Sequence, residues 1–351
     1  MIAQGLPSIL AHVISYLHAS RAECGAAEAI AGTNRVLIVC LLVLVLIVAG
    51  NLTGAIPAIV IHILSSRGRM PADNLVLVER LEGGVAKLTL NNPPLNLVTL
   101  EMTQRLIEAL EDIDKDGSVR AVVVSGAGDK AFCAGSDVKE FVAVRDRVVE
   151  KKLARENRAF SGFELLSKPV IAALEGLAYG GGCEISMACD LRIIAASARM
   201  AFPEVKLGVV PGSGGLFRLP ELVGPARAME LMYLGDPISA REAEYMGLVN
   251  KIVPDGEALP RALDIARRIS RQPKEAVAAI KRGVRESAQL AREEAIQLTL
   301  ELSDRVFKTK DCAEGIRAFF EKREPRFEGA PGEDRPGGDA GETIQETDSE
   351  S

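Results

Sequence analysis

The sequence predicts an α/β fold, with sheets covered by helices and closed by a mainly helical C-terminal layer. Three observations carry this. Short apolar runs alternate along the middle of the chain with segments whose apolar residues recur at helical spacing. Beyond Pro225 the strand pattern nearly stops. With 48% hydrophobic residues in 351, there is ample material for a core, and disorder throughout is excluded.

The elements follow in order. Leu75–Val78 and Val85–Leu90 flank Gly83-Gly84, a hairpin signature. Leu100–Asp114 places Met102, Leu106, Ile107, Leu110 and Ile113 at helical spacing, and Ala121–Val124 reads as a short buried strand. A helix from about Val138 to Leu166, a strand at Pro169–Leu174, a helix after Gly182 and a strand at Leu191–Ala195 continue the alternation. Helical patterns then cover about 225–234, 239–246, 256–271, 273–287, 289–307 and 311–322, a layer of the kind that forms subunit contacts.

Composition narrows the chemistry. All three histidines, His12, His18 and His62, precede this α/β body, which excludes most Ser-His-Asp and Cys-His mechanisms and any His-based metal site there. Six cysteines without a C-x-x-C pair read as reduced, mostly buried thiols in a reducing, cytoplasmic setting. Residues 328–351 concentrate acidic side chains among Gly, Pro and Ser and are expected to form a disordered tail; removing them leaves a nearly neutral body. Residues 36–64 hold two apolar stretches around Gly50–Gly54, and are expected to associate with a membrane, to serve as an extension the folded domain does not need, or to act as a targeting segment. The resulting division is an extension (1–73), an α/β core (74–270), a C-terminal helical region (271–327) and the acidic tail (328–351).

Two glycine turns stand out as candidate sites. Tyr179-Gly180-Gly181-Gly182-Cys183-Glu184 lies between a strand and a helix, where free backbone N–H groups and the helix dipole favour negative charge. Phe132-Cys133-Ala134-Gly135-Ser136-Asp137 occupies a second such junction, and one N–H from each turn would make an oxyanion hole. Twenty residues after Glu184 comes Glu204, ahead of a glycine-rich run at 208–215; carboxylates in apolar surroundings can serve as general acid and base. Read singly, each glycine motif is more readily a tight turn and each Glu more readily a solvated one. The nucleotide fingerprints G-x-G-x-x-G and G-x-x-x-x-G-K-[ST] are not matched.

Taken together and in order, Asn91–Asn96, Ala131–Glu140, Gly180–Glu184 and Phe202–Gly215 resemble the signature blocks of the enoyl-CoA hydratase/isomerase (crotonase) family, over about Leu75–Phe327. The resemblance implies a crotonase-like spiral of ββα repeats with a helical C-terminal trimerisation region, assembled as a homotrimer or homohexamer. It matches the N–H groups of Ser136 and Gly181 to the family's oxyanion hole for the thioester carbonyl of an acyl-CoA, and Glu184 and Glu204 to the two glutamates that grip the catalytic water. It further matches Ala134, Ser136, Asp137, Val138, Lys139 and Gly181 to contacts with the acyl-CoA substrate, and Phe319 and Lys322 to residues that approach the CoA of a neighbouring subunit. No metal or separate cofactor is implied, because coenzyme A arrives with the substrate.

There are departures from the family pattern. Pro94 stands near the place of a frequent Lys, and Phe202 replaces a polar residue common before the Pro-Glu pair. Phe202–Gly208 and Gly315–Phe327 look closest to the branch that includes crotonobetainyl-CoA hydratase. A Δ3,Δ2-enoyl-CoA isomerase or a carnitinyl-CoA dehydratase-type lyase is the alternative within the family, and the presence of both glutamates favours a hydratase. Outside it stand a non-catalytic membrane-tethered scaffold and an RNA-binding protein. The acidic residues of the Leu100–Asp114 helix oppose the latter, and the Lys151-Lys152-x-x-Arg155-x-x-Arg158 stripe reads as a solvated surface.

Overall fold

The computed structural model describes residues 75–328. The apolar segment 36–64, Cys24, Cys40 and nearly all of the acidic tail lie outside the described residues, with the expectations placed on them. Among the described residues, no helix is long and apolar enough to cross a membrane.

Strands β1 (Val76–Leu81) and β2 (Val85–Leu90) form the expected antiparallel hairpin. Helix α1 (Leu100–Lys115) follows, its first turn closed by the Thr99 hydroxyl, which accepts from Met102 N at 3.1 Å. Three pairs of strands come next: β3 (Ala121–Gly126) with β4 (Ala131–Cys133), β5 (Val170–Leu174) with β6 (Leu177–Tyr179), and β7 (Leu191–Ala195) with β8 (Arg199–Ala201). Helices α2 (Val138–Val144) and α3 (Ala154–Leu165) follow the first pair, α4 (Gly181–Ala188) the second, and α5 (Gly215–Val223) the third. The chain continues through α6 (Pro225–Leu234), β9 (Ile238–Ser239), α7 (Ala240–Tyr245), β10 (Lys251–Val253), α8 (Ala258–Ser270), α9 (Lys274–Ser287), α10 (Arg292–Phe307) and α11 (Lys310–Glu321).

Each strand pair gives one member to each of two sheets. The larger sheet has the order β1-β2-β3-β5-β7-β10 and the smaller β4-β6-β8-β9. Apart from the antiparallel β1–β2 and β8–β9 pairs, all pairing is parallel, so the chain climbs by one ββα unit at a time. The spiral of ββα repeats is therefore the observed architecture.

Alternation along the large-sheet strands sorts the core. Ala121, Val123, Ile171, Ala173 and Ile193 face α8, whose Ala258, Ala262 and Ala266 recur every four residues and let the helix lie close to the sheet. Their neighbours Val122, Val124, Ala172, Leu174 and Ile194 face the main core with Phe132, Phe160 and Phe163.

The structure amends three expectations. The helix predicted over 138–166 is broken: a 3-10 turn (Arg145–Arg147) and a wide π turn (Val149–Leu153) separate α2 from α3. A π turn inserts one residue and shifts the helical phase. Here Lys152, expected on a solvated stripe, is 0% exposed, with Nζ 2.9 Å from Glu140 and 3.1 Å from Glu156. Second, the strands of the small sheet, two or three residues each, are too short to show a period in the sequence. Third, α5 is hidden in the sequence by the preceding glycines and by Pro220 inside it, whose carbonyl still accepts from Gly224 N at 2.9 Å.

Cys133, Cys183 and Cys189 are buried free thiols and Cys312 is half-buried, in line with the reading as reduced cysteines. On the C-terminal helices Ile280, Val284, Leu300, Phe307 and Phe319 expose apolar side chains.

Candidate active site

Parallel pairing puts the C-terminal ends of neighbouring strands at one edge of a sheet, where the following turns converge. In the small sheet β6 lies between β4 and β8, with Cys133 opposite Ala178 and Tyr179 opposite Ala201. The turn after β4 carries Ala134–Asp137, the turn after β6 carries Gly180–Glu184, and the turn after β8 carries Glu204. Residues far apart in sequence thus meet because three short strands run side by side.

Glycine makes the approach close enough. A Cβ on Gly182 would lie 2.0 Å from the Cys133 carbonyl oxygen, so any side chain there would push α4 away from β4. Gly180 takes φ +50°, and a Cβ on it would stand 3.0 Å from Glu204 Oε1. A Cβ on Gly181 would lie 3.4 Å from the Ser136 backbone N, which measures how near the two turns come. Among the described residues the N–H groups of Ser136 and Gly181 have no acceptor, whereas the flanking Val98, Asp137 and Gly180 amides are all bonded. Two free donors side by side are what a developing oxyanion needs.

Glu184 stands in the first turn of α4 and is 3% exposed. Its Oε1 accepts from the N–H groups of Ser213 and Gly215, each at 2.8 Å. Burial pushes its carboxyl up to about 7; these two hydrogen bonds oppose the rise, and the charges of Glu204 and Glu156 add to it. Burial likewise raises Glu204, whose Oε2 is buried with no hydrogen-bond partner. Among the described residues neither glutamate forms an ion pair. Phe202, which stands two residues before Glu204, is buried in the main core. Glu184, poised near neutral pH, and Glu204, raised by burial, stand beside two unpaired amide donors, and such a set can add or remove a proton at neighbouring atoms of a polarised carbonyl compound.

The remaining residues singled out in the sequence lie farther out. Asp137 caps α2, its Oδ1 accepting from Lys139 N at 3.0 Å, while Ala134 is half-buried and Val138 and Lys139 are exposed at the mouth of the turn. Phe319 is 77% exposed and packs edge-on against Phe320 at 5.7 Å; Lys322, just past α11, is exposed with φ +53°.

Two residues near the site escaped the sequence reading. Glu156, 1% exposed, accepts from Ser136 Oγ at 2.8 Å and from Ser213 Oγ at 2.8 Å, and Lys152 lies beside it. In the sequence Ser213 is only one member of a glycine-rich run. The only local signal for Glu156 is a carboxylate one helical turn after a lysine, which is common on exposed helices.

A family model described as Enoyl-CoA hydratase/isomerase matches residues 80–330. A short-chain-enoyl-CoA hydratase of Clostridium acetobutylicum is 39% identical over 251 residues, 71% of this chain and 96% of its own length. A crotonyl-CoA hydratase of Syntrophomonas wolfei is 38% identical over 259 residues, 74% of this chain and 99% of its own. Among solved structures, an enoyl-CoA hydratase from Bacillus anthracis aligns with a TM-score of 0.70 at 38% identity, covering 73% of this chain and 99% of that one.

Proposed function

Because this chain belongs to the enoyl-CoA hydratase/isomerase family, we propose that it is an enoyl-CoA hydratase, which adds water reversibly across the C2–C3 double bond of a trans-2-enoyl-CoA. The observation that carries this reading is the placing of two carboxyls without a cation partner, the buried Glu184 and the half-buried Glu204, next to two free backbone N–H groups.

The thioester carbonyl oxygen binds between the N–H groups of Ser136 and Gly181. Its polarisation makes C3 electrophilic and stabilises the enolate that forms when water attacks. The reaction needs one carboxyl ionised and the other protonated, and the repulsion between the Glu184 and Glu204 charges favours that division. Glu184, fixed by the Ser213 and Gly215 amides, takes the proton from the attacking water. Glu204 delivers a proton to C2, and its unpartnered Oε2 is the oxygen free to do so. Dehydration runs the same steps backwards. The reaction is redox-neutral and its acid, base and electrophilic groups come from the chain, so coenzyme A enters only as part of the substrate.

Ala134, Asp137, Val138 and Lys139 line the approach to the oxyanion turn and are assigned to the CoA portion. The exposed Phe319 and Lys322 suit contact with the CoA of a neighbouring subunit in a homotrimer or homohexamer, an assembly that would also cover the apolar faces of α9–α11. The test is loss of the conjugated enoyl-thioester absorbance of crotonyl-CoA with the protein and with Glu184→Gln. Turnover by the first and not by the second is the expected result; equal rates would reject the base role of Glu184.

A further inference from the structure

Beneath the two turns of the site lies a buried side-chain network that the acid and base do not explain. Glu156, on α3, reaches the Ser136 hydroxyl with Oε1 and the Ser213 hydroxyl with Oε2, each at 2.8 Å. Ser136 carries one N–H of the oxyanion pair; Ser213 carries one of the two N–H groups that hold Glu184. Lys152 Nζ lies 3.1 Å from Glu156 and 2.9 Å from Glu140, with the Phe141 ring 5.0 Å away. Glu140 in turn accepts from Leu100 N, at the start of α1, at 2.9 Å.

A carboxylate taken from water needs partners for its lone pairs, and Glu156 has a cation and two hydroxyl donors. Each partner hangs from a different part of the site. The geometry points to Glu156 as a positioning residue, which sets the oxyanion turn and the Glu184-holding loop at a fixed separation through Ser136 and Ser213. It touches neither water nor thioester. Its contribution is to keep the enolate oxygen in reach of its donors while Glu184 is in reach of the water. Misplacement of about 1 Å between reacting groups is enough to cost roughly 10²-fold in rate. The π turn before α3 serves the same network: it turns Lys152 inward, so that Glu156 can be buried as an ion pair.

This inference rests on the hydratase reading for its rate assay and is tested independently by spectroscopy. Crotonyl-CoA hydration is compared in the full-length protein, Glu156→Ala, Glu156→Gln and Ser213→Ala, alongside the infrared carbonyl stretch of bound crotonyl-CoA. Glu156→Ala is expected to lower kcat roughly 10- to 100-fold with KM within about twofold, and to move the carbonyl stretch back toward its value in water. Glu156→Gln is expected to restore kcat to within about threefold, since an amide can accept from one serine and donate to the other. Ser213→Ala keeps the buried ion pair intact and should show part of the loss, so it carries the test if Glu156→Ala does not fold. Unchanged kcat in Glu156→Ala or in Ser213→Ala, a rise in KM alone, or equal losses in the Ala and Gln variants would overturn the assignment. If the parent polarises the carbonyl without turnover and Glu156→Ala abolishes that polarisation, the hydratase reading falls and the positioning role stands.

Discussion

The two ends of the short helix α4 treat their carboxylates in opposite ways. At the C-terminal end Asp190 lies 3.0 Å from Lys281 and 2.8 Å from Arg285, and Glu164 lies 2.7 Å from Arg218 and 2.9 Å from Arg285. Arginines also finish the helix: Arg285 donates to Ala188 O at 3.1 Å, and a further, buried Arg192 donates to Cys189 O at 2.8 Å. Positive charge at a helix C-terminus is favoured by the dipole, and here it satisfies the last carbonyls as well. At the N-terminal end the Gly181 N–H is free, and among the described residues no cation pairs with Glu184 or Glu204. Partial burial alone therefore does not make a carboxylate reactive. Paired with arginine a carboxylate here is structural; left with neutral amides, Glu184 is raised to about 7, where protons move at neutral pH, and Glu204 is raised in the same direction by burial.

Substitutions can break this contrast. The largest effect is expected from Glu184→Gln and Glu204→Gln, each lowering kcat for crotonyl-CoA hydration roughly 10²- to 10⁴-fold. A change within about twofold in either, measured by the enoyl-thioester absorbance, would put both ends of α4 in the same structural class.

Next comes Arg218→Ala at the opposite end. The guanidinium is 2% exposed and binds Glu164, Ser161 and the Ser213 carbonyl, so its loss should cost roughly 3 kcal/mol in urea unfolding at pH 7. An unchanged midpoint would mean that the paired cluster does not hold the fold.

A pH series sharpens the comparison further. Glu184 is raised from 4.5 to about 7 in the folded protein, so between these values the folded state binds more protons than the unfolded chain. Its contribution to stability is therefore present at low pH, declines as pH rises toward about 7 and is flat above that. Glu184→Gln should remove this decline, and parallel curves for parent and variant from about pH 5 to 8 would contradict it. As a base Glu184 works ionised, so kcat/KM should fall as pH drops below about 7.

The smallest effect belongs to an exposed charge outside both clusters. Lys139→Ala should raise KM for crotonyl-CoA roughly two- to fivefold with kcat retained, as for other solvent-exposed ion contacts. A fall in kcat with KM unchanged would instead place Lys139 among the groups that act in the transition state.

Much of this was legible before folding. Glycines at Gly180–Gly182 and Gly135 mark turns that only small residues can make, and Glu184 and Glu204 stand out as carboxylates in apolar company. Apart from the three-residue β10, the large-sheet strands and the C-terminal helices were legible because each is long enough to show its pattern. Glu156 and Lys152 were hidden, since a Lys and a Glu one helical turn apart look the same on an exposed helix as inside a protein. Only the π turn, which no local composition signals, makes them a buried pair. The small sheet was hidden too, because such short strands cannot show an alternation.

By itself the sequence determined the α/β class, the chemistry available to a histidine-free body and the turns that could offer free N–H groups, since these depend on neighbouring residues and backbone sterics. Only the tertiary structure decided which carboxylates meet cations and which do not. That choice depends on parallel strands and helix ends that bring residues distant in sequence, such as Ser136 and Glu156 or Glu164 and Arg285, within hydrogen-bonding reach. A charge's protonation follows from those distant neighbours, and so the division between structural and reactive glutamates was made in space.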